Sequence, residues 1–211
     1  MKNLGGVDVS RETIERLEEY QALLEKWNSA INLIAKSTIH AFWDRHVVDS
    51  VQLFVQKPKS AMTWVDAGSG GGLPGIVTAC IAKQHAPEMH VHLVESDQRK
   101  ATFLRRAVET LSLNATVSIA RIEELPLQAA DVFSARALAP LDVLLAYALK
   151  HLSEEGVAIF PKGERYAQEI AESRKNWHFD VVTEPSLTDT KARILVVKGI
   201  QRVDAQTHSR A

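Results

Sequence analysis

Cysteine is almost missing from this sequence. Cys80 is the only one in 211 residues, so no internal disulfide can form and the fold has to rest on an apolar core. Such a chain suits a reducing compartment. Charge of one sign is missing too: 25 Lys and Arg stand against 26 Asp and Glu, a formal net charge of −1. No global positive field draws the chain to nucleic acid, and an RNA or DNA partner has to be held by local basic patches. Long apolar runs are also lacking. The segment 141–149 comes nearest, but it is interrupted by Asp142 and falls far short of the roughly 20 residues that span a bilayer. Lys2 is followed by no apolar segment, which reads against a secretion signal. These absences predict a cytoplasmic protein with no membrane partner. What remains is ordinary for a globular chain, with 45% hydrophobic and 24% charged residues. The length allows one good-sized core and a small extension.

The pattern of apolar residues changes near residue 60. Before it, Ile14, Leu17, Leu24 and Trp27 recur at helical spacing over about 10–32, with Ser10 placed to cap the helix. Ile39, Phe42, Trp43, Val47, Val51 and Phe54 predict a second helix over about 38–55, closed by the break Lys57-Pro58-Lys59-Ser60. Residues 1–60 therefore read as a helical extension able to cover a site in the next region. Residues 61–200 read as an α/β domain. Strands are predicted at 63–67, 90–95, 116–120, 131–135 and 157–160. Helices are predicted at about 74–85, 97–111, 141–152 and 165–175, with a closing antiparallel pair at 179–183 and 193–197. Such alternation means a mostly parallel sheet with helices on both faces. Residues 201–211 read as a polar tail.

The segment Asp66-Ala67-Gly68-Ser69-Gly70-Gly71-Gly72-Leu73-Pro74-Gly75 carries most of the functional information. It joins the first α/β strand to the next helix, at the edge of the sheet where open α/β folds bind ligands. Glycine permits positive φ and lets a ligand approach the backbone, so the amides of this bend are expected to grip one. Gly70, Gly72 and Gly75 fit the dinucleotide pattern G-x-G-x-x-G, which leaves an NAD-binding oxidoreductase open. Two features point elsewhere. Asp66 would repel a pyrophosphate but suits the ammonium of a methionine moiety. Gly68 begins the turn before the dinucleotide register starts. Asp-x-Gly-x-Gly resembles motif I of class I methyltransferases. Glu95, closing the second strand of the domain, is placed to accept hydrogen bonds from ribose hydroxyls in either reading.

Further motifs narrow the resemblance. Trp27-Asn28 with Ile31-Asn32-Leu33 is similar to a W-N-x-x-x-N-L signature, and Arg45-His46-Val47-Val48-Asp49-Ser50 to R-H-x-x-D-S. The loop ends in Leu73-Pro74-Gly75, unusual among methyltransferases. Phe103-Leu104-Arg105, Arg121-Ile122-Glu123, Arg136-Ala137 and Lys162-Gly163 follow in order, with Ala135 where some relatives carry serine. On these motifs, over about 27–199, the chain resembles the bacterial 16S rRNA guanine-N7 methyltransferase G family, also called glucose-inhibited division protein B. The resemblance implies a Rossmann-like, class I S-adenosylmethionine-dependent methyltransferase fold with a mostly parallel seven-stranded sheet and an N-terminal helical extension. It implies cofactor contacts from Gly68, Leu73, Ile122, Glu123 and Arg136, to which the loop reading adds Gly70 and Glu95. It implies N7-methylguanosine in the helix-18 hairpin of 16S rRNA as the product, with 16S rRNA or the small ribosomal subunit as partner.

Guanine N7 has an in-plane lone pair and no proton, so its methylation needs alignment rather than a general base. Arg136 is expected to face the cleft. Arg45 and Asp49, like His46 and Ser50, stand at i, i+4 spacing and are expected either to shape the base pocket or to hold the extension to the sheet. No metal site is expected: His90 and His92 share a strand face but lack further ligands. Lys57, Lys59, Arg99, Lys100, Arg105, Arg106, Lys162 and Arg165 form a candidate phosphate-binding cluster. Trp27 and Trp43 read as core anchors, and Cys80 as buried and inert. A monomer is expected. The residues also leave open a methyltransferase acting on a free metabolite and a cofactor-sensing RNA-binding module without catalysis.

Overall fold

A computed structural model describes residues 1–203, so all but the first residues of the predicted polar tail lie outside the described residues. The chain opens with a hairpin that the apolar pattern does not predict, β1 (Lys2–Leu4) and β2 (Val7–Val9). Gly5 and Gly6 both take positive φ, +53° and +96°, as the tightest hairpin turns require. Helix α1 (Arg11–Asn28) follows, and the Ser10 side chain accepts from the Thr13 N–H. It stops before residue 32 because buried Asn28 turns the chain: its Oδ1 accepts from the Leu33 N–H at 2.8 Å and the Ile34 N–H at 3.0 Å.

The stretch 38–55 is not one helix. It comprises a 3-10 segment (Lys36–Ala41), a π-helical turn (Trp43–Val48) and α2 (Asp49–Val55). Across the junction of the π turn and α2, His46 and Asp49, three residues apart, both reach the Arg136 guanidinium, as neighbours on one helical face can.

The α/β layer follows the predicted order: β3 (Thr63–Ala67), α3 (Gly75–His85), β4 (His90–Glu95), α4 (Gln98–Thr110), β5 (Ala115–Ile119), β6 (Ala130–Ala135), α5 (Leu141–His151), β7 (Leu152–Lys162), α6 (Tyr166–Ser173), β8 (Trp177–Pro185) and β9 (Arg193–Arg202). The closing pair is longer than expected, because the β8–β9 hairpin keeps its ladder beyond its apolar centre. The seven strands run β5-β4-β3-β6-β7-β9-β8, and pairing from β5 to β7 is parallel. The order reverses between β3 and β6, which opens the crevice where such sheets bind ligands.

Each face of the sheet has its own core. Leu17, Tyr20 and Leu24 of the extension share one buried cluster with Ile76, Val77 and Phe103. Leu141, Leu144, Leu145, Phe133 and Trp177 fill the other. Trp27 packs on Phe103 with ring centroids 5.8 Å apart, and Trp43 Nε1 donates to Gln21 at 2.9 Å. Cys80 is fully buried, which pushes its thiol up to about 12.

Candidate functional site

The glycine-rich loop is held from three sides. The Tyr20 hydroxyl of α1 donates to the Gly71 carbonyl, and Leu33 lies against Gly71 so closely that an added Cβ would stand 3.1 Å from its carbonyl oxygen. Asp66, fully buried, accepts at Oδ1 from Ser134 Oγ at 2.7 Å and at Oδ2 from the Gly75 N–H at 3.2 Å. Ser134 in turn accepts from Trp64 Nε1 at 2.8 Å. Asp66 thus ties β3 to β6 and to the start of α3.

Burial pushes the Asp66 carboxyl up to about 6. The folded chain therefore holds this proton more tightly than the unfolded chain does. The stability it contributes is complete below about pH 4 and lost as pH rises through 6. Relative to Asp66→Asn, the parent should lose on the order of 3 kcal/mol between pH 4 and pH 7 in urea titrations. Parallel pH profiles for the two proteins would refute this.

The loop's amides are largely spoken for. The Gly68 and Ser69 N–H groups donate to the Val94 carbonyl, and those of Gly72 and Leu73 to the Ser69 carbonyl. The Gly70 N–H donates to Glu95 Oε2 at 2.8 Å, and Glu95 Oε1 accepts from the Asp97 N–H at 2.8 Å. This corrects the expectation that free amides grip a ligand. It also removes the donors that a dinucleotide pyrophosphate needs, and it places two carboxylates beside the loop. What the loop offers is shape: Gly68, at φ +67°, forms one wall of a cavity of about 220 Å³.

Val94, Ser96, Ile122, Glu123, Leu138 and Tyr147 also line that cavity. The Tyr147 hydroxyl donates to the Glu123 carboxylate and Lys150 Nζ to the Glu123 carbonyl, which fixes the turn Ile122–Glu124. The Tyr147 hydrogen bond also holds the Glu123 carboxyl below its usual range. Leu138 lies over Gly68, where a Cβ would meet Leu138 Cδ1 at 2.7 Å. Gly68, Ile122 and Glu123 are thus brought together. Gly70, buried Leu73 and Glu95 lie behind them on the loop and the end of β4, outside this lining. Each Glu95 oxygen still keeps a lone pair for a hydroxyl donor.

A second cavity, of about 480 Å³, is lined by Ala135, Arg136 and Ala137 at the end of β6 and just after it. Arg45, His46, Asp49, Arg136, Lys162 and Glu169 are among its walls. Arg136 Nη1 stands 3.5 Å from Asp49 Oδ2 and 3.3 Å from His46 Nδ1. Burial, with Arg136 and Arg45 nearby, brings the His46 imidazole down to about 4. The ring is therefore neutral at pH 7, with Nδ1 accepting from Arg136 and Nε2 donating to Thr38 Oγ1 at 2.9 Å. Ser50 Oγ donates back to the His46 carbonyl at 2.6 Å.

The two readings of the Arg-His-Asp-Ser set both have counterparts here. Arg45 lines the cavity, while Asp49 also reaches across to the β8–β9 loop, accepting from Thr188 Oγ1 at 2.9 Å. Gln52, which no sequence motif singles out, completes this latch. Its Nε2 donates to Asp49 and Ser186, and its Oε1 accepts from the Leu187 N–H at 2.8 Å. Gln52→Ala should cost about 1–2 kcal/mol and accelerate amide exchange at Leu187. Unchanged exchange there would show that the latch does not restrain the loop.

The predicted basic cluster divides. Lys162 lines the larger cavity and Arg165 another hollow beside Leu138 and Gln168, whereas Lys57 and Lys59 line a separate one with Gly6 and His85. Arg99 and Arg106 pair with Asp97 and Glu109. His90 bonds Asn114 and Thr116, and His92 bonds Gln128 and Ser118. Among the described residues no group of three or more His, Cys, Asp or Glu is arranged to hold a metal ion, and no helix is long and apolar enough to cross a membrane.

Known proteins resemble this chain in sequence and in fold. A ribosomal RNA small subunit methyltransferase G of Cereibacter sphaeroides is 56% identical over 197 residues, covering 93% of this chain and 95% of that protein. One from a Ruegeria species is 46% identical, covering 93% and 96%. Among solved structures, a TehB-like SAM-dependent methyltransferase from Corynebacterium glutamicum shares the fold at a TM-score of 0.57 and 13% identity, over 86% of this chain and 98% of that one. The model of the family described as rRNA small subunit methyltransferase G matches residues 13–202, and the chain belongs to that family.

Proposed function

We propose that this chain transfers a methyl group from S-adenosylmethionine to N7 of a guanosine in the helix-18 hairpin of 16S rRNA, within the small ribosomal subunit. One observation carries the reading: successive residues of the segment after β6 line both cavities, with Leu138 in the smaller and Arg136 in the larger. A methyl donor and a base can then meet at that segment. When bound, the sulfonium supplies its methyl to the N7 lone pair; the S–C bond breaks as N–C forms, the positive charge passes to the purine and no proton moves.

The protein's contribution is to place and to enclose. Gly68 leaves room for a ligand against the loop. Gly70 and Leu73 hold the bend in shape, and Glu95 accepts from the ribose. Ile122 and Glu123 flank the adenine, the first through apolar surface and the second through its fixed carboxylate. Arg136, in the wall of the larger cavity next to the segment that lines the smaller one, supplies donors to the bound ligands. Arg45 and Asp49 border the base pocket, where a guanine drawn out of its stack is accepted. Alignment of this kind can lower a barrier by roughly 7–11 kcal/mol. In this reading the protein works as a cytoplasmic monomer.

The test uses S-adenosylmethionine labelled at its methyl group. Undermodified 16S rRNA and small subunits are the acceptors, alongside free guanosine and guanine nucleotides. Label should appear at one guanosine and make the strand cleavable there after borohydride and aniline. Label on a free metabolite with none on either rRNA form would replace the reading with a small-molecule methyltransferase.

A further inference from the structure

Methylation at N7 limits how the base can be recognised. N7 and its lone pair have to be left open to the methyl donor, so guanine has to be distinguished by its opposite edge. That edge presents O6, an acceptor, followed by the N1–H and 2-amino donors. Adenine presents a donor and then an acceptor, the reverse order. A wall that selects guanine therefore needs a donor and an acceptor side by side.

The larger cavity contains one such pair. Lys162, at the end of β7, has only 10% of its side chain exposed, and Glu169, on α6, has 26%. Lys162 Nζ donates to the Ala139 carbonyl at 3.0 Å and to Glu169 Oε2 at 2.8 Å. With three N–H bonds, it retains one. Glu169 Oε2 also accepts from the Leu141 N–H at 2.9 Å, so this oxygen is filled. Glu169 Oε1 has no protein partner among the described residues. The other carboxylates on the wall differ. Asp49 is committed to Arg136, Gln52 and Thr188, and Asp189 is exposed in the β8–β9 loop.

We propose that Glu169 is the specificity-determining residue for guanine: its free Oε1 accepts from N1–H and the 2-amino group while the third N–H of Lys162 donates to O6. The inference rests on the N7-guanosine reading above. The rest of the pair's bonding prepares it for this task. The Leu141 N–H, the Ala139 carbonyl and the ion pair itself fix both groups before a base arrives, so little side-chain freedom remains to be lost. Adenine in the same place would set its N1 lone pair against Oε1 and its amino group against the ammonium.

Inosine tests this, because it keeps O6, N1–H and N7 and lacks only the 2-amino group. Small subunits are reconstituted with ligated rRNA carrying guanosine or inosine at the target position. Methyl transfer is then measured with the parent and with Glu169→Gln, whose amide oxygen can still accept from Leu141 and Lys162. The parent should prefer guanosine over inosine by about 10- to 100-fold in kcat/KM, the worth of a hydrogen bond to a charged group. Glu169→Gln should lose a similar factor on guanosine, show almost no preference between the bases and bind S-adenosylmethionine as the parent does. Equal rates of the parent on both bases would overturn the inference. So would a preference that survives in the variant, since Glu169 would then act only by holding the Ala139–Leu141 turn. If Glu169→Gln fails to fold, Glu169→Asp, with its carboxylate drawn back by one methylene, should narrow the preference; an unnarrowed one overturns the inference. A parent protein that leaves the guanosine unmethylated refutes the N7 reading itself, an outcome separate from both of these.

Discussion

Arg136→Ala should reduce methyl transfer by about 10²–10³-fold in single-turnover assays at saturating S-adenosylmethionine, with the sheet still folded. The magnitude is that of removing one well-placed donor from a reaction centre. The reason lies in where the guanidinium sits. It follows directly on β6, whose parallel neighbours β3 and β7 fix its Cα. Its head reaches His46 and Asp49 of the extension. Arg136 has five N–H bonds, so donors remain for a bound ligand after both acceptors are satisfied. Alanine removes those donors and leaves Asp49, only 20% exposed, without its cation. Arg136→Lys should restore the charge opposite Asp49 but not the planar fork, and so recover thermal stability more fully than rate. Parent-like turnover in Arg136→Ala would reduce the arginine to a strut between β6 and the extension.

The sheet was legible because its signal is local. Strands such as His90–Glu95 and Ala130–Ala135 are short, largely apolar runs, and their alternation with helical segments along the domain implies the parallel order. The loop was legible for a similar reason, since five glycines crowd one strand-to-helix junction. The opening hairpin has a local signal too, its Gly5-Gly6 pair, but strands of three residues are too short to display an alternation. The π turn was not accessible, because Trp43–Val48 has an ordinary helical pattern, and the meeting of His46 and Asp49 with an arginine far along the chain has no local signal. The same holds for Gln52 with Leu187 and for Tyr147 with Glu123. Each joins residues distant in sequence through one polar contact, and neither periodicity nor composition registers such a contact. Asp66 shows the boundary between the two kinds of information. Its position before the loop pointed to a ligand, whereas its full burial and its bonds to Ser134 and Gly75 show that it serves the loop itself.

Gly75→Ala should be the most damaging single-methyl change in the loop. Gly75 is not in the left-handed region, so its requirement is for space rather than for an unusual backbone. An added Cβ would lie 2.1 Å from Leu93 Cδ2 and 2.7 Å from Asp66 Oδ2. Leu93 is fully buried in the middle of β4, and Asp66 is pinned by Ser134. Neither can retreat without moving a strand, so the first turn of α3 has to shift. That shift breaks the bond from the Gly75 N–H to Asp66 and leaves a buried carboxylate oxygen without its donor. Overpacking of this order costs about 3 kcal/mol, and the orphaned oxygen adds to it. Chemical denaturation should show this loss together with loss of S-adenosylmethionine binding. Gly163→Ala is the matched control: no atom lies within 4 Å of its added Cβ, so its midpoint should stay at the parent value. A Gly75→Ala protein with parent stability and parent cofactor affinity would mean that β3, β4 and α3 are free to separate at the loop. The rigidity attributed to Asp66 would then have to come from elsewhere.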